Sequence, residues 1–176
     1  MDAGHLQSKK PRNALAGSYG HPIHPIMVTV PIGAWVCSLV FDLVSYGSSE
    51  PRIWSVGAMW LVLLGVLGAA AAAFFGVMDL LNLPKGTAAF STGRIHAALN
   101  STALVIFLIS FIWRFRTQDS WDASPVGPLV LSILGMAVVG ASGYLGGKLS
   151  YHYGVRVADE SVQAEGFGAR TSTGRS

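Results

Sequence analysis

Cysteine is nearly absent. Cys37 is the only one in 176 residues, so no disulfide can close within the chain and cysteine usage marks no redox compartment. Charge is scarce as well: Asp, Glu, Lys and Arg form 12% of the chain, against roughly a quarter in soluble domains. That is too little charge to cover a water-exposed surface, which argues against a cytosolic enzyme. The high apolar content excludes a disordered chain. The first twenty residues, MDAGHLQSKKPRNALAGSYG, hold no apolar h-region, so a cleaved secretory signal is not expected. No nucleophile–base motif, Gly-rich phosphate loop, Cys-x-x-Cys pair or His-Glu-x-x-His motif occurs, and no catalytic activity of its own is expected. The sequence also shows no convincing internal repeat.

Apolar sequence is what the chain has in quantity, at 51% hydrophobic residues and a mean hydropathy of +0.48. Four long apolar runs occur, Ile26 to Tyr46, Ile53 to Met78, Ile95 to Trp113 and Val126 to Leu149. A hydrocarbon core of about 30 Å needs about 20 helical residues, and each run meets that length. The spacing predicts an all-α membrane protein with four transmembrane helices in a compact antiparallel bundle over residues 21–157. A polar N-terminal tail, 1–20, and a flexible polar C-terminal tail, 158–176, flank it. Pro22 and Pro25 mark the start of the first helix, and Trp54, Trp113, Trp121, Tyr46, Tyr151 and Tyr153 fit an interfacial aromatic belt.

An even number of spans puts both termini and the loop between the second and third helices on one side. Nine of the twelve Lys and Arg residues fall there: Lys9, Lys10, Arg12, Lys85, Arg94, Lys148, Arg156, Arg170 and Arg175. The positive-inside rule then places both termini in the cytoplasm. The net charge of +3 therefore speaks for a membrane with cations on one face and not for nucleic acid. Gly68, Ala72 and Gly76 on the second helix, and Gly143 and Gly147 with Gly135 and Ala141 on the fourth, form small-residue faces expected to pack inside the bundle; a homo-oligomeric face is the alternative. Cys37 reads as a small core residue.

Four histidines gather under this topology. His21 and His24 precede the first helix, His96 begins the third and His152 follows the fourth, all on the terminal side, where Asp79 closes the second helix. Asn100 lies one turn beyond His96 and can orient it. Imidazole with carboxylate is a ligand set for a transition metal, and two facing histidines can instead hold haem b. Ring positions at helix ends favour a shallow single-ion site. The same side chains also suit a structural hydrogen-bond network, with Asp79 pairing to Arg94 or Lys85, and the chain would then be a non-catalytic scaffold or assembly subunit. Asp42, in the last turn of the first helix, is expected near the outer interface, paired with Arg52, Arg114 or Arg116. Small-solute transport has less support, because no inverted halves are evident.

The stretches HPIHPIMVTVPIGAWVCSLVFDL (21–43), GVMDLLNLP (76–84), GRIHAALN (93–100) and GGKLSYHYGVRV (146–157) resemble the bacterial domain-of-unknown-function 2231 family of predicted membrane proteins. The resemblance implies a four-span domain in the bacterial inner membrane. Relatives fused to a Rieske-type iron–sulfur domain imply a redox setting and a Rieske-type partner; this chain lacks the cysteines of such a domain.

Overall fold

Two prolines shape the first span. In the computed structural model, which describes residues 3–167, a short helix α1 (Ala3–Lys9) precedes an antiparallel ribbon of β1 (Gly17–Ser18) and β2 (His21–Pro22). The ribbon leads into α2 (Ile23–Met27) and α3 (Thr29–Ser45). The break at Val28 has a covalent cause: Pro31 has no N–H to return to the Met27 carbonyl, and Thr29 Oγ1 donates to Ile26 O at 2.7 Å instead. The other spans are α4 (Pro51–Leu81), α5 (Ala88–Thr117) and α6 (Val126–Gly147), the last running on through a π-turn to His152. Pro51 opens α4 where no N–H is needed, and Thr87 Oγ1 caps α5 by accepting from Phe90 N at 3.1 Å. Both helices outrun their apolar segments, because hydropathy marks bilayer depth while the hydrogen-bonded ladder continues through Asp79, Ser91 and Arg94. Residues 158–167 carry α7 (Glu160–Ala164); the rest of the segment expected to be flexible, 168–176, lies outside the described residues.

Neighbouring spans pack in order around the bundle, and the first and third meet across its middle. Their buried residues recur three and four apart: Pro31, Trp35, Ser38, Asp42 and Ser45 on α3, and Ala103, Phe107, Ser110 and Arg114 on α5. That is the seam period of packed helices. Trp35 stacks on Phe107 with ring centroids 4.0 Å apart. Gly65 makes room for the stack on one side, where an added Cβ would lie 2.2 Å from Trp35 Nε1, and Gly135 does so on the other, 2.6 Å from Phe107 Cε2. Cys37 falls off this seam and is exposed to the lipid side, which corrects its reading as a core residue. Gly68 and Gly76 do pack internally, against Val30 and His24, whereas Gly143 has nothing within 4 Å; on α6 the close contacts belong to Gly127, Gly135 and Gly146.

These contacts disclose a repeat. His24, Trp35, Ser38, Phe41 and Asp42 of the first span stand 72 residues before His96, Phe107, Ser110, Trp113 and Arg114 of the third. Gly57, Gly65, Ala72 and Gly76 stand 70 residues before Gly127, Gly135, Ser142 and Gly146. The contacts repeat with the residues: Phe41 lies over Gly57 as Trp113 lies over Gly127, and Trp35 lies over Gly65 as Phe107 lies over Gly135. The bundle is therefore two like helical hairpins, with first and third spans parallel, and equivalent residues meet across a pseudo-twofold axis. The sequence hid this because few side chains are identical and uniform hydropathy masks the pattern.

At the loop end the axis passes through an ion pair. Arg114 Nη1 and Nη2 donate to Asp42 Oδ1 and Oδ2 at 2.7 and 2.8 Å, with both side chains fully buried. Ser124 Oγ donates to Asp42 Oδ1 at 2.6 Å, and Arg114 donates further to Ser110 and Ser132 hydroxyls, each at 3.3 Å. Asp42 does pair with Arg114, inside the bundle instead of at a wetted interface. Leaving one member of a buried pair alone is worse than removing both, by about 3–5 kcal/mol. Asp42→Leu or Arg114→Met alone should therefore lower the melting midpoint of the detergent-solubilised protein far more than the double variant does. Equal losses in all three would refute the argument.

Candidate functional site

The opposite end of the same axis carries two imidazoles. α2 projects His24 toward α4, where Nδ1 lies 2.8 Å from the Ala72 carbonyl oxygen. α5 projects His96 toward α6, where Nδ1 lies 2.8 Å from the Ser142 carbonyl oxygen. A carbonyl only accepts, so each Nδ1 carries the proton and each neutral ring keeps its lone pair on Nε2. The Asn100 amide nitrogen, 3.0 Å from His96 Nε2, donates to that lone pair, which fits the same assignment. The two rings are neighbours in a T-shaped arrangement, with centroids 6.2 Å apart and planes at 90°. Gly76 and Gly146 admit them: a Cβ at Gly76 would lie 2.9 Å from His24 Cε1, and one at Gly146 3.1 Å from His96 Cε1.

The other sequence candidates sit elsewhere. His21, on β2, is exposed, with Nδ1 3.4 Å from Tyr19 O. His152 is exposed in the π-turn, its ring 5.0 Å from that of Tyr153. Asp79 pairs with Arg156, with Oδ1 3.0 Å from Nε, and neither Arg94 nor Lys85 takes that place. Among the described residues, no group of three or more His, Cys, Asp and Glu side chains is arranged to hold a metal ion. Sequence reasoning missed Ser142, Gly76 and Gly146 as parts of the site. The signal that finds them is the paired spacing from Ala72 to Gly76 and from Ser142 to Gly146.

A collar formed by both ends of the chain covers this side. Gln7 Nε2 donates to Asn82 O at 3.0 Å and Asn82 Nδ2 returns to Gln7 O at 2.8 Å, tying α1 to the end of α4. Arg156 N donates to Ser8 O at 3.1 Å. Tyr19 Oη donates to Asp159 Oδ2 at 3.0 Å and accepts from Asp159 N at 2.9 Å. Asp159 also caps α7 through Val162 N. The Ser161 hydroxyl foremost, then the Val162 N–H and the Tyr19 hydroxyl, hold its exposed carboxyl down from 3.8 to about 2.

A family model described as predicted membrane protein (DUF2231) matches residues 20–159, a stretch that includes all four spans. No curated protein and no solved structure matches the chain.

Gly76→Ala and Gly146→Ala should each push an imidazole off its carbonyl and cost about 1–3 kcal/mol. Gly140→Ala, at a position with nothing within 4 Å, should leave the melting midpoint unchanged. A folded value below the ordinary one means that the Asp159 contacts stabilise the docked tail above that ordinary value and are lost as pH falls through about 2. Pepsin cleavage within residues 157–167 should accordingly rise as pH drops from about 4 toward 2. Asp159→Asn should open the same segment to hydrogen exchange at neutral pH; opening of the whole bundle in that variant would contradict this account.

Proposed function

The chain belongs to the DUF2231 family of predicted membrane proteins, and from that premise we propose that it is a bacterial inner-membrane protein holding a b-type haem between His24 and His96 for membrane redox chemistry. The observation that carries this reading is the pair of repeat-equivalent imidazoles brought together at the pseudo-twofold axis, with ring centroids 6.2 Å apart in a T-shaped arrangement. His24 and His96 would hold the group through Nε2, since each Nδ1 is engaged by a carbonyl. Haem would need no more than two donors from the protein, whereas a bare zinc ion would need three or four. The donor set therefore fits haem better than a free ion, and His21, His152 and Asp79 fall outside the proposed ligand pair.

Bound haem supplies one-electron chemistry at its iron. The Ala72 and Ser142 carbonyls fix the ring orientations, keep the proton on Nδ1 and raise the basicity of Nε2. Asn100, now 3.0 Å from His96 Nε2, would have to release that atom for it to serve as a ligand, and its amide would remain as a donor beside the site. The cationic bias supports cytoplasmic termini. A redox protein, such as one of the Rieske type, is the partner class this reading calls for.

One observation favours a second reading, a non-catalytic scaffold: each Nδ1 already rests on a carbonyl of the neighbouring helix, so the rings serve as helix ties without any ligand. Absorption spectra of the detergent-purified protein, oxidised and then reduced, separate the two. The haem reading expects a Soret band, a sharpened reduced α-band and one haem per chain, all lost in His24→Ala and His96→Ala. Absence of both a Soret band and stoichiometric metal from the wild-type protein, with lowered melting midpoints in both variants, would establish the scaffold instead.

A further inference from the structure

The collar buries more positive charge than its one contacting carboxylate offsets. Lys9 and Arg156 are 3% and 5% exposed. Lys9 Nζ reaches only the carbonyls of Val157 and Ala158, at 3.4 and 3.5 Å. Arg156 Nη2 donates to Ala16 O at 2.7 Å and Nε lies 3.0 Å from Asp79 Oδ1, but the Nε–H bond does not point along that line. Nε and Nη1 of Arg156 and Oδ1 of Asp79 are thus buried without a hydrogen-bond partner among the described residues. Buried donors and an offset charge of this kind are costly unless something pairs with them. The backbone adds a second sign. Among the described residues, Arg156 is the one non-glycine residue with a left-handed φ, at 61°, whereas Gly86, 70 residues earlier, takes the same region at 82°. A strained arginine thus stands where glycine would sit without strain.

The position of this guanidinium is informative. Asp79 lies three residues beyond Gly76, the residue under His24, so the buried guanidinium of Arg156 is about one helical turn from the imidazole pair on the terminal side. We infer that Arg156, backed by Lys9, is an oxyanion site that takes a carboxylate or phosphate oxygen on its unpartnered Nη1. Two sources carry that chemistry. One is a porphyrin carboxylate, which rests on the haem reading above; the other is the phosphate of an anionic phospholipid such as phosphatidylglycerol, which does not. Among the described residues one such arginine stands beside a site that is otherwise two-fold, so it would fix which edge of a symmetric ligand turns toward the collar.

Two arms test this on the full-length protein in detergent, with Arg156→Gly, which relieves the backbone strain, and Arg156→Lys, which keeps the charge. In the porphyrin arm, haem and its dimethyl ester are titrated into haem-depleted protein. In the lipid arm, phosphatidylglycerol and phosphatidylcholine are compared by native mass spectrometry. A charge-assisted contact predicts about tenfold or more preference for the anionic member of one pair, lost in Arg156→Gly and partly kept in Arg156→Lys. Which arm responds names the source. If the wild type prefers neither anionic ligand, or Arg156→Gly keeps the preference, the inference is overturned. A protein that binds no haem but prefers phosphatidylglycerol through Arg156 would refute the haem reading and leave the oxyanion site standing.

Discussion

A fully buried guanidinium and carboxylate must find each other, and in this bundle that requirement sets the rest. Asp42 and Arg114 occupy equivalent positions in the two hairpins and meet on the pseudo-twofold axis. Two identical hairpins related by an exact twofold would bring like charges together there, which a membrane interior punishes severely. Joining the hairpins in one chain allows the two halves to differ, and opposite charges can then sit at one symmetric point. With three serine hydroxyls added from α5, α6 and the preceding loop, the pair fixes the rotation of three helices about their own axes.

That rotation is transmitted along α5 to the other end. Arg114 and His96 are 18 residues apart, which is five whole turns and about 27 Å of rise. The two polar levels thus lie on one face of α5, close to the two edges of a hydrocarbon core about 30 Å thick. At the ion-pair level the equivalent residues differ; at the imidazole level they are the same, because a neutral ring both donates and accepts and can face its own copy without charge repulsion. Between the levels, ring-on-glycine contacts give the shape fit that lipid cannot drive by apolar burial. Trp35 and Phe107 fill the middle as a stacked pair, and ring-on-glycine contacts recur with His24 and His96 at the end, where the two rings stand perpendicular.

The four spans and their helical class were legible because bilayer thickness writes a length into the sequence that no other constraint imitates. What faces inward was not. In a soluble bundle the interior is the apolar stripe, but here every face is apolar and the interior is marked by Ser38, Asp42, Ser110, Arg114, Ser132 and Ser142. Cys37 was misplaced for that reason, and so was Gly143, an exposed glycine that looks like a packing residue only if its rotation is ignored. His24 and His96 could be foreseen at one end of the bundle, but their meeting depends on the diagonal pairing of first and third spans, which hydropathy does not encode. Asn100 beneath His96 was readable, since a four-residue step on one helix needs no tertiary knowledge. The carbonyls of Ala72 and Ser142 were not, because backbone acceptors leave no trace in residue identity.

Symmetry also tells where the two hairpins stop being alike. Through the spans, equivalent residues make equivalent contacts; beyond α4 and α6 they do not. Asp79 has Leu149 as its counterpart at the 70-residue offset, and the chain after α6 turns back to bring Arg156 onto Asp79, a connection without a copy in the first hairpin. α1 lies outside the family match at residues 20–159, yet it docks on Asn82 and Arg156, which lie within it. A site on a pseudo-twofold axis presents the same donors to both sides of whatever it holds, so direction can come only from an asymmetric element. In this chain that element is the collar, and its unpaired charge lies at the end where the imidazoles are.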